Sequence, residues 1–152
     1  MKVICIGWHK TGTTNIAAAL RQLGFRVSDE DYRYDPNMPD YKVVLKTTLR
    51  GYDAVADLPW PHFAEEWVER YPDAYYIHTV RPVQEWWESA LAHFGGTTHP
   101  VRRMVYDGYG DPRDAPSVWR ERYRRHNQRC RKIGEDVANY LRLPLCHPNK
   151  WD

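Results

Sequence analysis

The first residues with evident chemical potential lie in the segment GWHKTGTTN, residues 7–15. The segment directly follows the apolar run VICI, and it contains two glycines, a lysine and two threonines. A buried strand, a glycine-rich turn and a helix start direct several backbone N–H groups and the positive end of a helix dipole toward one anion. The segment therefore predicts a phosphate-binding loop, with a charge from Lys10 and hydroxyl donors from Thr13 and Thr14.

The position of the lysine separates this loop from that of an ATPase. In the nucleoside-triphosphatase pattern GxxxxGK[ST], the lysine directly follows the second glycine. Here Gly7 and Gly12 keep the spacing, but Thr13 occupies the lysine position and the lysine lies at residue 10. Its ammonium group would reach the outer end of a ligand rather than lie along a triphosphate. Acidic residues suited to magnesium are not obvious, so we expect no metal. Because the loop geometry is shared with kinases, a small-molecule kinase is an alternative function.

Apolar patterns along the chain indicate the elements that position this loop. Strands are predicted over the runs VICI, FRVS, DAVAD and AYYIHTV. Apolar residues at helical spacing predict helices from residue 14 to 23, up to Pro72, and up to Gly95. This alternation predicts a three-layer α/β/α P-loop nucleotide-binding fold with a mostly parallel sheet of four or so strands, the N-terminal strand central. No repeat or linker interrupts it, so residues 1–152 are interpreted as a single domain.

The last third of the chain has a different pattern. From Trp119 to Tyr140, apolar residues recur at alternating intervals of four and three, which predicts one long amphipathic helix. Its other faces carry six arginines, at positions 120, 122, 124, 125, 129 and 131. These can form a solvated charged face, or they can form an anion-attracting wall beside the site.

Composition limits the partners and the compartment. The chain has 152 residues, with 22 basic and 20 acidic ones, and a net charge of +2 argues against a bulk nucleic-acid binder. It has no apolar stretch of membrane-spanning length, so no membrane partner is expected. Three widely spaced cysteines without a CxxC pair favour a reducing compartment, and we predict a cytoplasmic protein.

Two segments together resemble a family, the sulfotransferases that use 3′-phosphoadenosine 5′-phosphosulfate (PAPS). The family loop that holds the 5′-phosphosulfate has the form Lys-x-Gly-Thr-Thr after the first strand, and KTGTT at residues 10–14 matches it. The second signature is an arginine at a strand end with a serine eight residues later, which grip the 3′-phosphate. VRPVQEWWES supplies this pair as Arg81 and Ser89, and the resemblance covers residues 2–95.

The resemblance implies both a reaction and a set of binding residues. A sulfuryl group would move from PAPS, with PAP as the product, to a hydroxyl or amine of an unknown small-molecule or glycan acceptor. The residues implied in PAPS binding are Lys10, Thr11, Gly12, Thr13, Thr14, Arg81 and Ser89.

The resemblance also implies a catalytic base. Cytosolic members carry a histidine directly before Leu-Pro, and Asp57 stands at that position in the segment ADLP. A positioned carboxylate can take the proton of an acceptor hydroxyl. Asp57 can equally be a cap or turn residue, and the other candidate bases are His62 and the acidic cluster Asp29, Glu30 and Asp31.

The chain departs from the family pattern in two places. Asn15 stands where cytosolic members have a tryptophan that stacks on adenine, which leaves Trp8 or the pair Trp86-Trp87 as candidates. Family members usually have a further strand and a basic, glycine-containing loop near the C-terminus, and the loop completes the 3′-phosphate site. Neither is recognisable in this sequence. Substitutes for the basic loop would be Arg50, Arg102, Arg103 or an arginine of the last helix. A degenerate module that binds PAP or another anion without turnover is therefore a further alternative.

Overall fold

A computed structural model describes residues 1–29 and 49–145. Its centre is a sheet of five parallel strands, whose bounds are β1 Val3–Cys5, β2 Val27–Ser28, β3 Ala54–Val55, β4 Tyr75–Val80 and β5 Tyr140–Pro144. Their spatial order is β2-β3-β1-β4-β5, so β1 pairs with β3 on one side and β4 on the other. The predicted parallel sheet with a central N-terminal strand is confirmed.

Helices cover both faces of this sheet. Their bounds are α1 Thr13–Gln22, α2 Ala64–Arg70, α3 Val83–Phe94, α4 Pro100–Val105 and α5 Pro116–Asp136, a 3₁₀ turn spans Trp60–Phe63, and residues 49–51 are also helical. Successive side chains of a strand point to opposite faces, and β1 shows this clearly. Val3 and Cys5 pack with Ile16 and Leu20 of α1, whereas Ile4 packs in the other cluster, with α2 and α5. The predicted three-layer α/β/α arrangement is therefore confirmed.

A third cluster packs against the loop that follows β1, and six of its eight buried residues are aromatic. Tyr106 stacks on Trp119 with ring centroids 3.7 Å apart. Trp8, Trp86 and Trp87 are buried in the same cluster, with at most 6% of any of them exposed. The suggestion that these tryptophans stack on adenine is therefore wrong, because their rings already form the core that supports the loop.

The C-terminal third differs from its predicted form. The long helix ends at Asp136, and Tyr140 belongs to β5, which pairs with β4 from Tyr76 to Val80. Tyr140 nevertheless faces the same core as the helix, and a Cβ on Gly134 would lie 2.5 Å from its ring. The regular spacing thus reflected a shared core rather than a continuous helix.

The chain therefore has a further strand, β5, that the sequence did not reveal. The C-terminal residues 146–152 lie outside the described ranges. Within those ranges, no helix is both long and apolar enough to cross a membrane.

Candidate active site

A cavity of about 780 Å³ opens where β1, β3 and β4 end. In a parallel sheet, ligands bind beyond the carboxyl ends of the strands, where the connections diverge to opposite faces. The cavity lining includes six of the seven residues implied in PAPS binding, Lys10, Gly12, Thr13, Thr14, Arg81 and Ser89, and also the candidate base Asp57. Two others, Thr11 and His62, do not line it.

The loop between β1 and α1 is held against β4 by close contacts. Gly7 has no room for a side chain, because a Cβ there would lie 1.9 Å from the Thr79 hydroxyl oxygen. The buried Thr11 hydroxyl donates to the Trp8 carbonyl and lies 2.6 Å from the same Thr79 oxygen. Thr11 therefore shapes the loop with its side chain, and only its backbone remains to contact a ligand.

The loop gives the cavity a concentration of positive charge. Gly12 lies in the left-handed region with φ 87°, and α1 begins directly after it without a side-chain cap. The first N–H groups of a helix lack intrahelical partners, so they favour an anion at this end. Lys10 also has a left-handed backbone, with φ 61°, a conformation that is uncommon for residues other than glycine.

Asp57 lines the cavity from the neighbouring strand, two residues after β3 ends. Its backbone is also left-handed, with φ 64°. One carboxylate oxygen accepts the Thr13 hydroxyl at 3.1 Å, and the other accepts the Leu58 N–H at 2.8 Å. Burial raises the pKa of Asp57, and the two hydrogen bonds oppose this shift. Two unusual backbone conformations, at Lys10 and Asp57, thus occur where their side chains line one cavity.

Arg81 and Ser89 line the same cavity from β4 and α3. Tyr123 fixes the backbone of Arg81, since its hydroxyl accepts the Arg81 N–H at 3.0 Å and donates to the Arg81 carbonyl at 2.8 Å. The Nε of Arg81 lies 3.7 Å from Glu85 and has no hydrogen-bond partner among the described residues. Its guanidinium is therefore not fully engaged by the protein.

The alternative bases are less favourably placed. His62 packs against the rings of Trp8 and Phe63 outside the cavity lining. Burial, with the charges of Arg122 and Arg129, lowers the pKa of His62 to about 4. Asp29 lines the cavity, but both of its carboxylate oxygens bind the Arg21 guanidinium. Glu30 and Asp31 lie outside the described residues.

The cavity also includes residues to which the sequence gave no role. His9, His93, Phe94, His99 and Val101 line it, together with Arg102, which the sequence suggested only as one of several substitutes. One signal was present for His93, because it lies four residues after Ser89 and so on the same helix face. In residues 1–29 and 49–145, no group of three or more histidine, cysteine, aspartate or glutamate side chains is arranged to hold a metal ion.

A glycine-rich loop and cationic side chains at the carboxyl edge of a parallel sheet are typical of α/β proteins that bind phosphate-bearing ligands. Comparison with known families makes the class specific. The sulfotransferase domain model matches residues 2–141, and the chain belongs to this family. It is also 29% identical over 107 residues to Ava biosynthesis cluster protein M of Aspergillus versicolor. That match covers 59% of this chain but only 41% of the relative, so the two differ substantially in length.

Proposed function

We propose that this sulfotransferase moves a sulfuryl group from PAPS to a hydroxyl or amine of a small-molecule or glycan acceptor. One observation carries the choice of donor: the loop that contains Lys10 and the pair Arg81 and Ser89 line a single cavity. PAPS has two anionic ends, a phosphosulfate and a 3′-phosphate, and two separate groups of anion-binding residues suit such a ligand.

Each end of the donor has its own proposed partners. The 5′-phosphosulfate would lie at the start of α1, against backbone N–H groups of residues 11–14, the Thr13 and Thr14 hydroxyls, and the Lys10 ammonium. The 3′-phosphate would lie between the Arg81 guanidinium and the Ser89 hydroxyl. Arg81 suits this role because its Nε is buried without a hydrogen-bond partner among the described residues.

The reaction requires stabilisation of charge and removal of one proton. A bond forms between the acceptor atom and sulfur while the bond from sulfur to the phosphate oxygen breaks, so negative charge grows on the leaving phosphate. Lys10 would stabilise that charge. Asp57 would take the acceptor proton, and its raised pKa improves it as a base because it lies closer to the working pH.

The donor can be tested before the acceptor is known. In EDTA, PAP should raise the melting temperature of the protein, because a ligand that binds only the native state stabilises it. Magnesium-ATP should have the smaller effect, and a larger effect of magnesium-ATP would favour a small-molecule kinase instead. Labelled PAPS with an acceptor library then measures turnover.

A second candidate is a module that binds PAP without turnover. The observation that favours it is the engagement of both Asp57 carboxylate oxygens, by Thr13 and by the Leu58 N–H, as a turn residue would show. Stabilisation by PAP without any transfer from PAPS across the library would support the module and contradict the enzyme.

A further inference from the structure

One end of the cavity has features that the proposed donor does not require. We name it the Arg102 end, and it consists of His9, His93, Phe94, Val101 and Arg102. The Arg102 guanidinium carbon lies 4.7 Å from the centre of the Phe94 ring, and the His9 ring centre lies 5.1 Å from it. A cation, a histidine and an apolar surface therefore share one wall.

Arg102 is a buried cation without an acidic partner. Only 8% of the residue is exposed, and it forms no salt bridge within the described ranges. Its hydrogen bonds go to neutral groups, the carbonyls of Phe94 and Thr97 and the Thr97 hydroxyl. The nearby Asp111 is already paired with Arg113. Arginine is rarely buried unless paired, so a bound anion would offset the cost of burying this charge.

His9 adds a second hydrogen-bond donor, and the hydrogen bonds of its neighbours assign which ring nitrogen carries the proton. The Trp8 indole can only donate, and it gives its proton to the Tyr106 hydroxyl at 2.7 Å. The Tyr106 hydroxyl is buried and still has its own proton to donate, and Nε2 of His9 is in hydrogen-bonding contact with it, so we assign the hydroxyl as the donor to Nε2. Burial and the charges of Arg102 and Lys10 hold the pKa of His9 well below its usual value, so the ring is neutral. The remaining proton is therefore assigned to Nδ1, which is buried without a hydrogen-bond partner among the described residues.

The position of the Arg102 end relates it to the acceptor rather than the donor. His9 is the immediate neighbour of Lys10, which we place at the sulfuryl group, so the wall borders the reacting end of the cavity. The 3′-phosphate already has proposed partners in Arg81 and Ser89. Phe94 and Val101 give the wall an apolar surface, which suits the body of an organic acid better than a phosphate.

We propose that the acceptor carries a carboxylate beside an aromatic or aliphatic body, and that Arg102 and the Nδ1–H of His9 bind this carboxylate. The inference rests on the proposed sulfuryl transfer and narrows its acceptor to organic acids.

The test compares acids with their neutral amides on protein saturated with PAP. The probes are 4-hydroxyphenylacetate, 4-hydroxybenzoate and 6-hydroxyhexanoate, each beside its amide, and calorimetry measures their affinities. In at least one pair the acid should bind about tenfold or more tightly than the amide, as expected for a charge-assisted hydrogen bond. Absence of any preference for the acid, through equal binding or no binding in all three pairs, would overturn the proposal.

Two variants assign the preference to the wall. Arg102→Met should weaken the preferred acid about ten- to a hundredfold and leave its amide nearly unchanged. Arg103→Met is the matched control, because Arg103 is exposed and lies outside the cavity lining. His9→Phe should weaken the acid less, by up to about tenfold, since it removes a neutral donor. Full acid binding by Arg102→Met would contradict the assignment.

Further measurements separate this inference from the proposed function. If Arg102→Met does not fold, as judged by its melting temperature and PAP affinity, Arg102→Gln serves instead and should show the same loss. Adenosine 5′-phosphate lacks the 3′-phosphate, so the ratio of the PAP affinity to the adenosine 5′-phosphate affinity shows whether Arg102 binds that phosphate of the donor. A fall in this ratio for the Arg102 variant would overturn the acceptor assignment, whereas failure of the parent protein to bind PAP would refute the proposed function itself.

Discussion

The arginines of α5 and the arginines of the cavity show how far local pairing, rather than number, determines where an anion can bind. The α5 side chains are largely engaged at the surface: Arg122 pairs with Asp107, Arg125 with Glu121, and Arg129 with Glu65. None of the six lines the cavity. The solvated charged face is therefore the interpretation that the structure supports for α5. Arg81 and Arg102 are fewer, but both reach the cavity, and Arg102 forms no salt bridge within the described residues.

The difference indicates that six arginines on one helix are a weaker sign of a binding site than one arginine that lines a cavity without an acidic partner. An exposed ion pair contributes little and is screened by salt. A charge held in a cavity has lost part of its hydration before any ligand arrives, so a matching anion gains more from it. The predictions below test this contrast, beginning with the largest expected effect.

Lys10→Ala should reduce the rate of sulfuryl transfer by about 10²–10³-fold, because one preorganised donor to developing charge is lost. PAP lacks the sulfuryl group, so its affinity should stay nearly the same. Single-turnover kinetics and PAP titration measure the two quantities. Lys132→Ala on the exposed face of α5 is the control and should change neither, and an equal loss in both variants would remove the distinction between cavity and surface.

Asp57→Asn keeps the shape of the side chain and removes the base, so turnover should fall by about 10²–10⁴-fold. In the parent protein the rate should fall as the pH is lowered through the raised pKa of Asp57, because the carboxylate becomes protonated. PAP affinity should not change. A normal rate in the variant would make Asp57 a turn residue and direct attention to His62.

The same variant gives a stability prediction with a definite sign. A carboxyl group whose pKa is raised by folding favours the folded state most when it is protonated, and this contribution is lost as the pH rises through the folded pKa. Above that pKa, Asp57→Asn should thus unfold with equal or greater free energy than the parent protein. The difference should shrink as the pH falls, and urea denaturation at several pH values measures it.

Arg81→Ala should weaken PAP about ten- to a hundredfold, because a charge-assisted contact to the 3′-phosphate is lost. Adenosine 5′-phosphosulfate lacks that phosphate, so its affinity should change far less. The matched control is Arg125→Ala, which removes an exposed arginine paired with Glu121. Equal weakening of both nucleotides by Arg81→Ala would assign Arg81 a structural role.

Arg129→Ala should have the smallest effect. It breaks the surface pair with Glu65, so the free energy of unfolding should fall by about 0–1 kcal/mol, less at high salt. Arg129 lowers the pKa of Glu65, so this contribution should disappear as the pH falls through that lowered pKa. Denaturation with and without added salt measures the change in the free energy of unfolding. A marked loss of PAP binding by Arg129→Ala would instead support α5 as an anion-attracting wall beside the site.

The sequence predicted the parts of the fold that have a local cause. The apolar run before Gly7 and the helical spacing after Thr13 identified β1 and α1, and the same reasoning located β4 and α3. It failed where distant residues decide the structure. Tyr140 continued the spacing of α5 because both face one core, and the six residues of α4 are too few to show a period.

The same limit applies to the site. Lys10 and the pair Arg81 and Ser89 could be named because their spacing is a local motif. Arg102 could not be weighed against Arg50 or Arg103, because its burial against Phe94 and its lack of an acidic partner depend on how α4 packs. The role suggested for Trp8 was wrong for a similar reason, since sequence does not show which aromatic rings form the core.

The contact between Gly7 and Thr79 has a consequence for selectivity between nucleotides. Thr79 lies in β4, two residues before Arg81, which directly follows the strand, so the start of the loop and the backbone of Arg81 are held in one packed unit. The distance between the loop and Arg81 is consequently set when the chain folds, and little conformational entropy remains to be lost on binding. A rigid spacing of this kind acts as a gauge of ligand length: a molecule whose two anionic groups are too close together or too far apart can engage only one of them.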